Sequence, residues 1–224
     1  MPRTRLSADD RRHQLIGIGL RLLITTPIHA LSIDEVAAQA GISRSLLFHY
    51  FPTKRDYYAA VVRAASRRML SDTATAPEVA APDRLRATLT SLVAFVDRRR
   101  EPYLAFVRGA AGGDAWVLEI YEETRAVMVD LMLAALGLPA DADASTPLRL
   151  QIRGWIAYAE ELALHWTREP GLDRAELIDA LEETLLHLAR RTPDGAALVR
   201  AHTMTGPATA QATSRSTDPA ESIP

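Results

Sequence analysis

The sequence predicts an all-α protein with a small N-terminal head of three helices and a larger helical body. Apolar residues recur at helical spacing over most of the chain, and no stretch shows the sustained alternation of a strand. Segments that contain proline or glycine separate the helical stretches. A hydrophobic content of 48% in 224 residues is ample for a buried core.

Residues 9–26 and 32–40 predict the first two helices of the head. The first helix ends at Pro27, because proline lacks the amide hydrogen that a helix interior needs. Ser32 and Glu35 have the spacing of a capping box at the start of the second helix. The inward face of that helix is an apolar stripe made by Ile33, Val36, Ala37 and Ala40.

A lone glycine, Gly41, separates the second helix from a third. Glycine tolerates the left-handed backbone that a tight helix exit needs, and Ser43 can cap the next helix. That helix would turn Leu47 and Phe51 inward. Two short helices joined by a turn of about three residues form a helix-turn-helix. A long helix over residues 53–72 follows it.

Charge is distributed unevenly along the chain, although the net charge is only −2. Residues 1–72 carry eleven Lys and Arg against six Asp and Glu, a net charge of +5. Residues 73–224 carry a net charge of −7. A basic head joined to an acidic body suits a head that faces phosphate groups.

The body is predicted over residues 80–191, after a Pro/Ala-rich connector that bounds the head at residues 1–72. The periodicity predicts helices near 83–100, 102–110, 114–136, 147–168 and 173–191. From Thr192 the chain is rich in Thr, Ala, Ser and Pro and has few large apolar residues. We therefore expect a flexible tail over residues 192–224.

Several functional classes lack their sequence signals. Cysteine is absent, which excludes disulfides and thiolate metal sites. No apolar run approaches the roughly 20 residues of a membrane span, and no signal-peptide core is present, so a cytoplasmic protein is expected. No phosphate-binding glycine loop, nucleophile elbow or zinc helix occurs, so we expect neither enzymatic activity nor a cofactor.

The head resembles that of the TetR family of transcriptional regulators. The resemblance covers residues about 10–60, where "SIDEVAAQAGIS" is followed by "LLFHYFPTKRDYY". It implies a helix-turn-helix DNA-binding head and a body that dimerises and binds a ligand. We expect a homodimeric repressor that binds double-stranded palindromic operator DNA and is released by a small apolar effector. The alternative is an all-helical protein-interaction adaptor without DNA binding.

The third helix is the predicted recognition helix. Arg44 can fork onto guanine, Ser45 can pair with several bases, and Phe48 can touch a thymine methyl group. Phe48 stands where the family usually has tyrosine, and Pro27-Ile28 replaces a Gly-aromatic pair. The resemblance places a phosphate-contacting lysine at Lys54, the single lysine of the chain. The full predicted DNA-binding set is Ser32, Ser43, Arg44, Ser45, Phe48, His49, Tyr50 and Lys54.

Aromatic residues of the body predict a ligand cavity. Trp155 and Tyr158 lie three positions apart on one helix, with the small residues Gly154 and Ala157 beside them. The predicted ligand-binding set is Phe106, Trp116, Trp155, Tyr158 and Leu162. Arg108 and Arg153 can balance an acidic group on the ligand. The same aromatic residues are equally consistent with a plain hydrophobic core.

The last two predicted helices carry a leucine stripe and two Glu/His pairs. Leu177, Leu181, Leu185 and Leu188 can join a four-helix dimer seam, or can fill the core of their own protomer. Glu161/His165 and Glu183/His187 have the i, i+4 spacing of metal ligands. Such pairs are also common contacts on a helix surface, and we expect no metal site.

Overall fold

The computed structural model describes residues 7–24, 26, 28–75, 79, 81–111, 115–139 and 142–205. These ranges are helical and contain no strand, which confirms the all-α prediction. The helices are α1 (Ala8–Leu22), α2 (Ile33–Ala40), α3 (Arg44–Tyr50), α4 (Lys54–Thr73), α5 (Ala81–Arg98), α6 (Arg100–Ala111), α7 (Ala115–Ala135), α8 (Thr146–Trp166), α9 (Arg174–Ala189) and α10 (Pro193–Thr205). A short 3-10 helix, Ile28–Ala30, lies between α1 and α2.

Helices α1, α2 and α3 pack around one small core. Gly41 ends α2 in the left-handed conformation, with φ of 65°, and the Ser43 hydroxyl accepts the amide hydrogen of Leu46 at 3.1 Å. Leu47 and Phe51 are fully buried, as the periodicity predicted. The chain therefore forms the predicted helix-turn-helix.

The capping box predicted at the start of α2 is half formed. The Ser32 hydroxyl accepts the amide hydrogen of Glu35 at 3.3 Å. The Glu35 carboxylate does not reach back, because it accepts a hydrogen bond from the Gln39 side chain at 3.4 Å. A complete box lies instead at the start of α4, between Thr53 and Asp56.

Helix α4 belongs to both the head and the body. Tyr57 and Val61 are buried in the core of the head, and Met69 is buried in the core of the body. The Tyr57 hydroxyl donates to the carbonyl oxygen of Leu15 at 2.9 Å, and burial raises the pKa of this phenol above its usual value. Head and body thus share a continuous helix.

Helices α1 and α4 approach each other closely at Gly19. A Cβ atom at Gly19 would lie 2.5 Å from Cγ2 of Val61 and 2.6 Å from the Tyr57 hydroxyl oxygen. No side chain fits there without displacing α4, so glycine is required for this packing. Helix α1 ends at Leu22, earlier than the predicted residue 26, while Pro27 lies outside the described residues.

Helices α5 to α9 form the body around a second, larger core. Each of them begins and ends within two residues of its predicted bounds. Trp155 is 1% exposed, and its indole N–H donates to the carbonyl oxygen of Leu181 at 3.1 Å. This bond ties α8 to α9 inside the core.

The flexible tail predicted from residue 192 is wrong for residues 193–205, which form α10. Val199 and His202 of this helix are buried, and the Asp194 carboxylate accepts hydrogen bonds from the Ser145 amide at 2.8 Å and hydroxyl at 3.0 Å. The composition of this segment led to the wrong prediction of a flexible tail. Pro193 and Asp194 mark the start of a helix, since proline and acidic residues favour the first turn. The rest of the predicted tail, residues 206–224, lies outside the described residues.

The leucine stripe of α9 belongs mainly to the core of the protomer. Leu177, Leu181 and Leu185 are fully buried, and Leu188 is partly buried against the same cluster. The expectation that these leucines form a dimer seam is therefore wrong for the three buried ones. Apolar periodicity identifies the buried face of a helix but does not say whether its neighbour belongs to the same chain.

Candidate DNA-binding surface and ligand cavity

Helix α3 presents one face to solvent, and its core contact fixes its position. Leu47 is buried beneath the helix, while Arg44, Ser45 and His49 are exposed. Phe48 and Tyr50 are partly buried. An exposed face of this kind suits insertion into the major groove of DNA, where side chains of a recognition helix meet base edges.

The guanidinium of Arg44 is held by the neighbouring helix α2. Its Nη1 atom lies 3.1 Å and 3.2 Å from the two carboxylate oxygens of Asp34, and the group lies 5.5 Å from the centre of the Phe48 ring. Both charged side chains are exposed, so water screens this pair. Any contact between Arg44 and DNA would therefore compete with this ion pair.

Lys54 is exposed at the first position of α4, beside the end of α3. Its ammonium group lies 5.0 Å from the centre of the Tyr58 ring. The hydroxyl groups of Ser32 and Ser43 already cap α2 and α3. These two serines can still offer hydroxyl hydrogens to a phosphate, because each cap uses the oxygen only as an acceptor.

Two residues near α3 were not predicted from the sequence to have a role there. Leu46 is 40% exposed on α3. Its spacing of three residues from His49 could have indicated this exposure from the sequence. Arg12 of α1 donates to the carbonyl oxygen of Tyr50 at 2.7 Å and lies 4.2 Å from the centre of the Phe51 ring. Arg12 therefore fixes the C-terminal end of α3, a role that only the folded arrangement reveals.

A cavity of about 330 Å³ lies where the head meets the body. Its volume is at the lower end of the range for small-molecule sites. The head contributes residues of α1 and of the short 3-10 helix, and the body contributes residues of α5, α6 and α7, with α4 between them. The aromatic part of the wall is Tyr58, Phe95, Tyr103, Phe106 and Trp116.

The structure places some of the residues predicted to bind a ligand in this cavity and the others elsewhere. Phe106 and Trp116 line the cavity. Trp155 lines a separate small void of about 20 Å³. The prediction that Tyr158 and Leu162 line this cavity is wrong. Tyr158 points outward with 44% of its surface exposed, and Leu162 is not among the residues that line the cavity or the small void. Periodicity could not separate the inner from the outer face of α8, because apolar residues occur on both.

The two arginines proposed to balance an acidic ligand do not line the cavity either. Arg153 pairs with Glu122 of α7, and Arg108 is exposed. Arg68 and Arg99 lie in the wall instead. Sequence analysis missed them because the cavity joins elements that are far apart in the chain.

A buried polar cluster adjoins the cavity through Tyr103. The Glu160 carboxylate accepts hydrogen bonds from the hydroxyl groups of Tyr103 at 2.8 Å and Tyr121 at 2.9 Å, and it pairs with Arg125. Burial, followed by the charge of Glu160, raises the pKa of both phenols. Both phenols donate their hydroxyl hydrogens to this carboxylate.

The two Glu/His pairs lie on exposed faces of α8 and α9. Among the residues that the structure describes, no three His, Cys, Asp or Glu side chains are placed to hold a metal ion. Within the same residues, no helix is both long and apolar enough to cross a membrane.

The fold and the exposed face of α3 define a helix-turn-helix DNA-binding protein with an all-helical body. Two family models match the chain. The model for bacterial regulatory proteins of the tetR family matches residues 15–61. The model for the tetracyclin repressor-like C-terminal domain matches residues 82–188.

Similar proteins agree with both matches. A crystal structure of a tetR-family transcriptional regulator from Streptomyces coelicolor has a TM-score of 0.75 and 30% identity, covering 90% of this chain and 92% of that one. An uncharacterized HTH-type transcriptional regulator of Mycobacterium tuberculosis is 28% identical over 77% of this chain and 74% of its own. The HTH-type transcriptional activator FasR of Mycolicibacterium smegmatis is 29% identical over 44% of this chain and 46% of its own.

The chain therefore belongs to the TetR family of DNA-binding transcriptional regulators. Members of this family regulate transcription and are not enzymes, in agreement with the prediction from sequence. DNA binding also separates the chain from the alternative of a protein-interaction adaptor.

Proposed function

We propose that the chain is a cytoplasmic, ligand-responsive repressor that binds a palindromic operator as a homodimer. The position of the cavity carries this proposal, because one ligand in it would touch both head and body. A ligand that prefers one arrangement of the two heads shifts the protein away from arrangements that fit the operator. A typical coupling of about 1–3 kcal/mol changes operator affinity about 5- to 150-fold.

Selection of bound fragments from a random DNA pool tests the operator. A symmetric dimer should enrich two inverted half-sites whose centres are roughly 34–36 Å apart, about one helical turn. Enrichment of a single half-site bound by one protomer would contradict the dimer model. Transcription in vitro from a promoter overlapping the selected site should fall when the protein is added, whereas a rise would make this chain an activator.

The exposed face of α8 is the best candidate for the dimer seam. Leu150 and Tyr158 are 67% and 44% exposed on this face, and a Cβ atom at Gly154 between them would meet no atom within 4 Å. An open glycine beside exposed apolar side chains lets a second helix approach closely. Helices α8 and α9 pack on each other, so two protomers can meet there as a four-helix bundle.

Replacement of Tyr158 by arginine tests this seam. Tyr158→Arg should split the dimer in sedimentation without unfolding the protomer, because the side chain is not part of the core. Val127→Arg is the matched control, since Val127 is exposed to a similar extent on α7. Dimers that persist in Tyr158→Arg but dissociate in Val127→Arg would move the seam to α7.

A further inference from the structure

Most of the described wall of the head–body cavity is apolar. Among the lining residues that the structure describes, the charged side chains are Arg68 and Arg99, and none is an aspartate or a glutamate. Arg68 lies 3.8 Å from Asp72, so its charge is partly balanced. Positive groups in a low-dielectric wall favour a ligand that brings a negative charge.

Arg99 is the second arginine of the described wall. It lies between α5 and α6 and is partly buried. Its guanidinium is 5.4 Å from the centre of the Phe95 ring. Within the described part of the chain, it has no carboxylate at ion-pair distance. A partly buried guanidinium suits bidentate binding of a carboxylate.

Ser66 of α4 adds an unpartnered polar group to the same wall. It is 9% exposed, and its hydroxyl makes no hydrogen bond to any residue that the structure describes. A hydroxyl group in the wall of a cavity can donate a hydrogen bond to a bound ligand.

The cavity volume suits a small ligand. Small-molecule sites have volumes of about 300–1,000 Å³, and this cavity, at about 330 Å³, lies at the lower end of that range. The apolar side chains Leu20, Leu23, Phe106 and Trp116 supply a surface for a hydrocarbon or aromatic portion. A compact amphiphile matches both this size and this wall.

We infer that the cavity binds a small apolar acid, with its carboxylate on Arg99 and its apolar portion between head and body. The inference builds on the proposed effector function and assigns the chemistry of the ligand. Leu20 lies in α1 and Leu23 caps the C-terminal end of this helix, so an occupied cavity fixes the spacing between α1 and α6. The ligand thus acts on the head directly rather than through a chain of intervening residues.

Three probes with ten carbon atoms each test the charge of the ligand. Decanoate, decanol and decylamine are titrated below their micelle concentrations, in the absence of DNA, and the quenching of tryptophan fluorescence is followed. Trp116 lines the cavity and reports binding, and Trp116→Phe identifies its share of the signal. Decanoate should bind about tenfold or more tightly than decanol, because hydrogen bonds to charged groups are strong. Decylamine should bind weakest.

Replacement of Arg99 tests the proposed contact. Arg99→Gln should weaken decanoate about tenfold or more and leave decanol within about threefold. Arg99→Lys should restore part of the preference for decanoate. Arg108→Gln is the matched control, because Arg108 is an exposed arginine outside the cavity and its loss should change neither affinity.

The outcomes separate this inference from the proposed function. Equal affinities of the wild-type protein for decanoate and decanol, or a preference that survives Arg99→Gln, would overturn the assignment of an acid. Operator affinity is measured separately with decanoate at saturation. Binding of decanoate that leaves operator affinity unchanged would retain the site but refute its role as the effector site.

Discussion

The head and the body hold their functional groups in opposite ways. In the head, one helix of seven residues buries Leu47 and exposes Arg44 and His49. The cavity at the edge of the body forms where its helices α5, α6 and α7 meet α4 and the α1 and short 3-10 helix of the head. The periodicity of a single helix records which residues face outward, whereas no local pattern records an internal space. The surface of the head is therefore readable from sequence and the cavity is not.

The largest expected effect concerns the core of the body. Leu181→Ala should lower the free energy of unfolding by about 2–5 kcal/mol, because it leaves a cavity among fully buried residues. Denaturant unfolding measures the loss. Leu188→Ala on the same helix should cost less, because Leu188 is only partly buried. If Leu181→Ala instead splits the dimer and leaves the stability of the protomer nearly unchanged, Leu181 belongs to the dimer seam.

The comparison also explains which predictions from the sequence hold. Helix bounds in the body follow from apolar periodicity, and the turn at Gly41 follows from glycine and its flanking serine caps. Trp155 and Tyr158 share a helix but face opposite environments, since neighbours distant in sequence decide which side of α8 is covered. Arg99 becomes a candidate only when α4, α5 and α6 are assembled. These placements depend on packing between helices that are distant in sequence, which the local sequence pattern does not record.

Arg44 tests the outward face of the head. Arg44→Ala should cost about 1–3 kcal/mol of operator affinity and relax base preference at one position, if the guanidinium forks onto a guanine. Competition between the operator and single-base variants of it measures both effects. Unchanged discrimination at every position would remove Arg44 from base recognition and leave it a surface arginine.

Lys54 should behave differently, although it lies on the same surface. Lys54→Ala should weaken all DNA sequences alike by about 1 kcal/mol and reduce the salt slope by roughly one. Affinities at several salt concentrations, for operator and random DNA, give both quantities. Arg67→Ala serves as a charge-matched control, because Arg67 is exposed near the other end of α4 and is not among the residues that line the cavity. A sequence-dependent loss would make Lys54 a base-reading residue.

The smallest effect concerns the carboxylate that competes with DNA for Arg44. Asp34→Asn removes one charge from a pair held at 3.1 Å and should raise operator affinity by about 0.2–1 kcal/mol, the range for exposed ion pairs. Glu35→Gln is the matched control. It removes the same charge from the same turn, and its side chain contacts Gln39 rather than Arg44.

A double substitution separates the two explanations of such a gain. If Asp34 acts by holding Arg44, Asp34→Asn should have no effect on operator affinity in the Arg44→Ala protein, because the two effects are coupled. If Asp34 only repels phosphate, the gain should persist there and Glu35→Gln should produce it as well. Titration of operator at fixed salt measures all the variants. If the gain in operator affinity persists in the Arg44→Ala protein, the charges on the outward face of the head affect DNA binding independently of one another. The body differs, because the effect of each side chain there depends on its neighbours.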